Sequence, residues 1–440
     1  MISAKKHPPG PETDLAVQEI RRDPLQFIMR ITGEYGDIVR YRADGWAATL
    51  VNHPDYVKRV LQDNHRNYTK EGTPDFMMLK PMLGEGILTS EGESWLQQRR
   101  MAQPAFHRKR IEAFGTLMTD LTALMLDQWE TQIGQPLEMV KEMTQLTLRI
   151  VARALFSYDV SSEADVFGRA VEVLNESMGH FDPTNMDVRR QFRSALITIQ
   201  QIVHQIIQER RLHPEDRGDF LSMLLVAQDE ETGYRMNDRQ VRDQVLTLLL
   251  AGHETTAKAL SWTFYLLSQH PEIEERLVQE LNTVLGGRTP TIEDLPHLPY
   301  SWMIIEESMR LYPPIWLLSR VAVADDEIGG FHIPAGSLVA VSPYAMHRHP
   351  GYWENPERFD PEHFRPERAA ERPTFAYLPF SGGPRLCLGK HFASVEAHLV
   401  LAMIYQRFRL RLAPAHPVVP EALVTLRPHY GLPMTLHPIS

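Results

Sequence analysis

The only cysteine in the chain, Cys387, sits in FSGGPRLCLGKHF. Gly382, Gly383 and Pro384 break regular structure just before the sulfur, and Gly389 permits close approach just after it. A helix expected from about Leu388 would turn its N-terminal N–H groups and positive dipole end toward the sulfur and favour a thiolate. That is the environment of a metal ligand; the competing reading is a buried structural cysteine. One sulfur in 440 residues excludes an internal disulfide, a four-cysteine zinc site and a Cys-ligated iron–sulfur cluster. Two motifs fail on chemistry. GPRLCLGKH is not a phosphate loop, because five residues rather than four separate Gly383 from Gly389, and His391 stands where Ser or Thr would bind magnesium. HETTA at His253 lacks the second histidine of a zinc HExxH, since Ala257 occupies that place.

Glu254 and Thr255 are an adjacent acid and alcohol inside a strongly helical stretch. Val241, Val245, Leu248, Gly252, Thr255 and Ala259 recur at helical spacing, which puts Gly252 and Thr255 on an otherwise apolar face. The bland alternative is a tolerated glycine and a threonine bonded back to its i−4 carbonyl. Glu307 and Arg310 form an i, i+3 pair in SWMIIEESMRL, where Ile304, Ile305, Met309 and Leu311 point to burial; an exposed ion pair there would contribute almost nothing.

The elements that must carry these groups follow from punctuation and period. Between Asn237 and Gln269 there is no proline and one glycine, so those residues can form one helix about 50 Å long. Asn237 with Gln240 resembles a capping pair, and His270-Pro271 stops the run. DIVRYRA and WAATLVN alternate around Asp44-Gly45 as a hairpin. Long 3.6-period stretches dominate from about Glu91 to Gln228. Short strands and turns follow Leu311, then a proline-rich stretch from His349 to Pro384, a helix from about Leu388 to Phe408, and hairpins from Val418. The composition, 43% hydrophobic and 23% charged, supports a large core, and the net charge of −10 disfavours nucleic acid. No apolar h-region opens the sequence and no stretch reaches 18 apolar residues, so we expect neither a signal peptide nor a transmembrane anchor, and a cytoplasmic protein.

FSGGPRLCLG, with Phe380, Gly383, Arg385, Cys387 and Gly389 in place, closely resembles the haem-binding signature of cytochrome P450. AGHETT at Ala251, ESMR at Glu307 to Arg310, PERF at Pro356 to Phe359 and WLQQR at Trp95 to Arg99 match in order and spread the resemblance over most of the chain. It implies a mainly α fold with a small β region: one domain over residues 1–440, β-richer to about 65, with a triangular helical body around a long central helix and N- and C-terminal sheets. It also implies haem b ligated by the Cys387 thiolate, which pushes electron density toward the iron and favours O–O cleavage. Pro379, Phe380, Gly389 and Ala393 would pack at the macrocycle. Arg99, Arg385 and Arg320, with the Trp95 indole, would hold the propionates; for Arg320 a surface position on a strand edge remains open. Ala251 and Gly252 would make room for dioxygen, and Glu254 and Thr255 would relay protons. Glu307, Arg310 and Arg358 would be structural.

The resemblance implies a monooxygenase that hydroxylates a C–H bond with O2. A peroxide-dependent hydroxylase and a haem-based sensor or carrier are the alternatives, and the intact acid–alcohol pair argues against both. Leu88, Phe181, Ile315, Leu317 and the turn at Tyr430 match pocket-lining segments of the family, although core packing competes at each. Their apolar character suggests a fatty acid, terpenoid or carotenoid. Trp46 follows Gly45 where one type of fatty-acid hydroxylase carries a carboxylate-binding Arg, which tilts the reading toward neutral or long apolar substrates. No flavin or iron–sulfur module is expected within the chain, so electrons would come from a separate ferredoxin or flavodoxin docking on Arg99, Arg100, Arg108, Lys109, Arg110, Lys390 and His391.

Overall fold

The computed structural model describes residues 6–11, 16–43, 45–179, 185–213, 215–229 and 231–439. Their contacts group into two compact units, each assembled from two stretches of chain.

The first unit joins the described residues up to Leu79 with Met309–Cys387. It holds a five-stranded sheet in the order Ile38–Ala43, Trp46–Val51, Leu338–Val341, Leu318–Ala322, Tyr68–Thr69. The first two strands are the expected hairpin, antiparallel with Ala43 opposite Trp46, and Gly45 takes the positive φ its tight turn requires. Trp46–Val51 then pairs in parallel with Leu338–Val341, so β structure from late in the chain completes the N-terminal sheet. Because side chains alternate along a strand, each face builds its own core. Val51, Val339 and Val341 pack with Val57, Val60 and Leu378 on one side. Val39, Leu50 and Ala340 pack on the other with Phe27, Ile28 and Ile31 from the helix Pro24–Tyr35.

The second unit runs from Lys80 to Ser308 and resumes at Leu388. Its axis is the helix Asp238–Gln269, whose 32 residues span about 48 Å. Asn237 and Gln240 close the expected capping box, and His270 ends the helix. The helix Met139–Phe156 lies along it: a β carbon on Gly252 would come 2.8 Å from Val151 Cγ2, and the Thr147 hydroxyl donates to the His253 carbonyl at 2.9 Å. Gly252 therefore serves helix–helix contact on the side of Val151. The helix Lys390–Arg407 packs against Gly115–Glu130. The C-terminal segments form a three-stranded sheet, Pro136–Glu138, Pro433–Pro438, Phe408–Leu412, and a hairpin of Pro420–Ala422 with Leu426–Pro428. No helix of the described residues is long and apolar enough to cross a membrane.

Candidate active site

The Cys387 loop is built by two close approaches. Gly383, at φ +66°, sits so tightly on the Leu61 carbonyl that a β carbon would lie 1.9 Å from its oxygen, and one on Gly382 would meet the Phe375 ring at 2.5 Å. A 3-10 turn over Gly383–Arg385 follows, with the Leu386 N–H on the Gly383 carbonyl and the Cys387 N–H on the Phe380 carbonyl, both at 3.0 Å. The Cys387 side chain is exposed, not a buried structural cysteine, and Pro379, Phe380 and Arg385 around it are half-buried. The following helix begins at Lys390, two residues later than expected. Ala393 is consequently in its first turn, donating its N–H to Gly389 at 2.9 Å.

On the long helix, residues are buried almost throughout except at Ala251, Gly252 and Thr255, which open one strip in mid-helix. The Thr255 hydroxyl lies in that strip and donates to the Ala251 carbonyl at 3.0 Å, the local bond a helical threonine makes by default. Glu254 points elsewhere. It is buried, and its Oε1 accepts hydrogen bonds from Asn175 Nδ2 at 2.6 Å and from the Thr425 hydroxyl at 2.7 Å. Lys258, one turn on, is buried as well; burial pulls its amine down from the ordinary lysine range against the opposing charge of Glu254. Sequence reasoning missed Asn175, Thr425 and Lys258. Only the unusual lysine among apolar neighbours signalled a partner.

Trp95 and Arg99 lie one turn apart on the helix Gly92–Ala102, both half-buried. Arg100 is bound by Asp229 at 2.8 Å and Glu231 at 2.7 Å, which removes it from the expected docking patch. Arg320 is buried on the strand Leu318–Ala322, so the surface alternative is excluded, and its Nη1 donates to the Ser319 carbonyl at 2.8 Å.

Glu307 and Arg310 are both fully buried. Arg310 donates to the carbonyls of His347 at 2.9 Å, Pro356 at 2.6 Å and Arg358 at 2.9 Å, fastening the irregular stretch through its backbone. The Arg358 side chain itself is exposed, against expectation. Its buried counterpart is His363, in the parallel PEHF sequence five residues later, with its Nε2 2.8 Å from the Glu354 carbonyl and its ring edge-on to Trp353.

The expected substrate contacts scatter. Leu88 is 37% exposed beside the helix Gly92–Ala102. Ile315 is half-buried, and Leu317, also half-buried, packs on the Phe27 core of the first unit. Tyr430 is 55% exposed in a turn against the His429 ring, while the hairpin reaches the long helix through Thr425, which donates to Glu254, and through the Leu426 carbonyl, which accepts from Trp262 Nε1 at 3.1 Å. Phe181 lies outside the described residues.

These side chains suit a haem. Among the described residues no group of three or more His, Cys, Asp or Glu could hold a bare metal ion, so an accessible single sulfur suits a metal that brings its other ligands. In the first unit half-buried Arg385 and buried Arg320, and in the second half-buried Trp95 and Arg99, are each the kind of donor a carboxylate requires.

The Cytochrome P450 family model matches residues 8–432. The chain is a cytochrome P450. It is 39% identical to cyclooctatin synthase of Streptomyces melanosporofaciens over 92% of this chain and 89% of that protein. It is 34% identical to pentalenene oxygenase of Streptomyces avermitilis, over 93% and 91%. The solved cytochrome P450DA heme domain superposes with a TM-score of 0.90 at 27% identity, covering 99% of this chain and 98% of that one. The fold is accordingly the mainly helical P450 fold with small sheets, and the chain belongs to the haem-dependent monooxygenases.

Proposed function

We propose that this cytochrome P450 hydroxylates a neutral terpenoid, working as one domain over the chain in the cytoplasm. The resident group is haem b, held by Cys387 with Trp95, Arg99, Arg320 and Arg385 toward its propionates and Pro379, Phe380, Gly389 and Ala393 beside it. The relatives carry the substrate reading: cyclooctatin synthase and cyclooctat-9-en-7-ol 5-monooxygenase, both from Streptomyces melanosporofaciens, are each 39% identical to it, and pentalenene oxygenase is a third with a terpenoid name.

The haem supplies oxygen activation when bound. The protein's part is to hold protons and exclude water. The Thr255 hydroxyl, in the open strip, presents a proton at Oγ1; Glu254, next to it in sequence but held out of the strip by Asn175 and Thr425, resupplies that proton by turning away from those two donors. Both carriers are present, which supports O2-driven turnover over the peroxide-dependent and sensor readings. Leu88 lines the substrate side.

Electrons come from a separate acidic carrier, a ferredoxin or flavodoxin. Arg108, Lys109 and Arg110 are exposed on the short helix Arg108–Glu112, and Lys390 is exposed at the start of the helix that packs near it, with His391 close enough to feel the Arg108 charge. Glu112 offsets Arg108 at 2.8 Å, so the patch is modest.

Adding cyclooctat-9-en-7-ol or palmitic acid to the purified haem protein and following the haem absorption band tests the substrate class. The polycyclic alcohol should shift the band at lower concentration. A shift with palmitic acid alone would overturn the terpenoid reading.

A further inference from the structure

The segment Gly84-Glu85-Gly86 lies on the long helix with no room for a side chain. A β carbon on Gly84 would fall 2.2 Å from Asp243 Oδ2, and one on Gly86 would fall 2.0 Å from the Thr247 hydroxyl and 2.8 Å from the Asp243 carbonyl. Gly84 holds a positive φ of 62°, a conformation that favours glycine. The segment's backbone is tied down by side chains of the helix. The Glu85 N–H donates to Asp243 Oδ2 at 2.8 Å and the Ile87 N–H to Gln244 Oε1 at 3.3 Å. Gln244 in turn donates to Gln98, whose amide donates to the Glu85 carbonyl at 3.0 Å. Within the segment, the Thr89 hydroxyl caps the Gly84 carbonyl at 2.8 Å, and Lys80 spans Glu85 at 2.6 Å and the Thr89 carbonyl at 2.9 Å.

Asp243, Gln244 and Gln98 are completely buried, and Thr89 nearly so. Buried polar groups satisfied in this way specify one arrangement, because releasing any of them strands its partner. Leu88 is the side chain of this segment left exposed. Asp243, Thr247, Ala251 and Thr255 follow one another at i+4 along the helix, each turned only about 40° from the last, and Thr247 to Thr255 covers about 12 Å. Those turns add to about 120° between Asp243 and Thr255, whereas Gln244, eleven residues before Thr255, lies about 20° from it, so the Gln244 side of the latch shares a face of the helix with the open strip.

We infer that Asp243 and Gln244 are positioning residues for substrate selectivity. By clamping Gly84–Ile87 flat on the helix about three turns before Thr255, they fix how far Leu88 reaches toward the strip, and so the length of substrate accommodated there. The inference rests on the reading that Leu88 lines the substrate side.

The experiment uses the haem protein and 1-alkylimidazoles from butyl to dodecyl, which bind through nitrogen and report the chain length the cavity accepts. It compares wild type with Asp243→Ala, Asp243→Asn, Gln244→Leu and Leu88→Ala, and measures amide hydrogen exchange at Glu85 and Ile87 alongside. Asp243→Ala should speed exchange at those amides at least tenfold and flatten the dependence of affinity on chain length. Asp243→Asn keeps an acceptor for the Glu85 N–H and should restore most of both. Gln244→Leu should act like Asp243→Ala at Ile87, and stands in for it if the alanine variant fails to fold. Leu88→Ala should move the preferred chain length while leaving exchange unchanged. If Leu88→Ala leaves the profile intact, the reading of Leu88 falls and the inference with it. If Leu88→Ala changes the profile but faster exchange in Asp243→Ala or Gln244→Leu does not, the positioning role is overturned while Leu88 stands.

Discussion

Gly383→Ala isolates what the Cys387 loop requires of the chain. The position has φ +66°, and the new methyl would lie 1.9 Å from the Leu61 carbonyl oxygen, where β carbons essentially never come closer than 3.0 Å. The obstacle is backbone, so the loop rather than a flexible side chain must give way by roughly 1 Å. A non-glycine residue in the left-handed region costs about 1–2 kcal/mol, and forcing a methyl into a packed site costs about 1–3 kcal/mol more. A total of about 2–5 kcal/mol shifts the balance between the native and a displaced loop by a factor on the order of 30 to several thousand. The assay is the fraction of bound haem that gives the strongly red-shifted ferrous–CO band of thiolate ligation, read together with thermal unfolding. Most of the band should be lost and the unfolding midpoint should fall. Gly389→Ala is the control: its φ of −84° is ordinary and nothing lies within 4 Å of the added carbon, so stability should hold even where haem loading drops. A Gly383→Ala protein with wild-type stability and a full red-shifted band would refute the argument.

Cys387→His should retain some haem but lose the red-shifted band, and persistence of that band would exclude Cys387 as the ligand. Thr255→Ala should keep consuming reductant while diverting it to peroxide or water, so an unchanged ratio of product to reductant would remove Thr255 from the relay. Reversing Arg108, Lys109 and Lys390 to Glu should slow reduction by an acidic carrier most strongly at low salt; equal rates there would place docking elsewhere. Glu396, fully buried, has its carboxyl pushed well above the usual range by burial, against a smaller pull from the Thr256 hydroxyl. The folded state thus prefers the proton more than the unfolded chain does. Its stabilisation is complete below about pH 4.5 and is lost as pH rises through the raised folded value. Glu396→Gln should flatten that decline, and urea unfolding across about pH 5 to 9 with identical slopes for both proteins would contradict it.

Features set by neighbouring residues were legible in the sequence. The Asn237–Gln240 capping box, the turn at Gly45 and the breakers around Cys387 each act within a few residues, and each formed as the local chemistry requires. What escaped depended on the partner across the fold. Glu254 was visible as an acid, but its donors Asn175 and Thr425 lie 79 and 171 residues away in sequence. Gly252 read as part of the open face, and only the position of Val151 shows that a side chain there would meet the neighbouring helix. Arg358 and His363 occupy equivalent places in PERF and PEHF, and spacing alone does not tell which is turned inward. Arg100 counted as surface charge until Asp229 and Glu231 were found against it.

The long helix shows why these partners matter together. Successive residues point about 100° apart, and five in a row are each committed in a different direction. Gly252 meets Val151, His253 sits edge-on to the Phe167 ring, Glu254 is held by Asn175 and Thr425, Thr255 opens into the strip, and buried Thr256 donates back to the Gly252 carbonyl. A rotation of the helix by one residue would bury the hydroxyl and strand the carboxylate, leaving unsatisfied polar groups at costs of about 1–3 kcal/mol each. The side chains that keep Glu254 out of the strip therefore also fix Thr255 in it, so the acid and the alcohol are placed by one set of contacts rather than two.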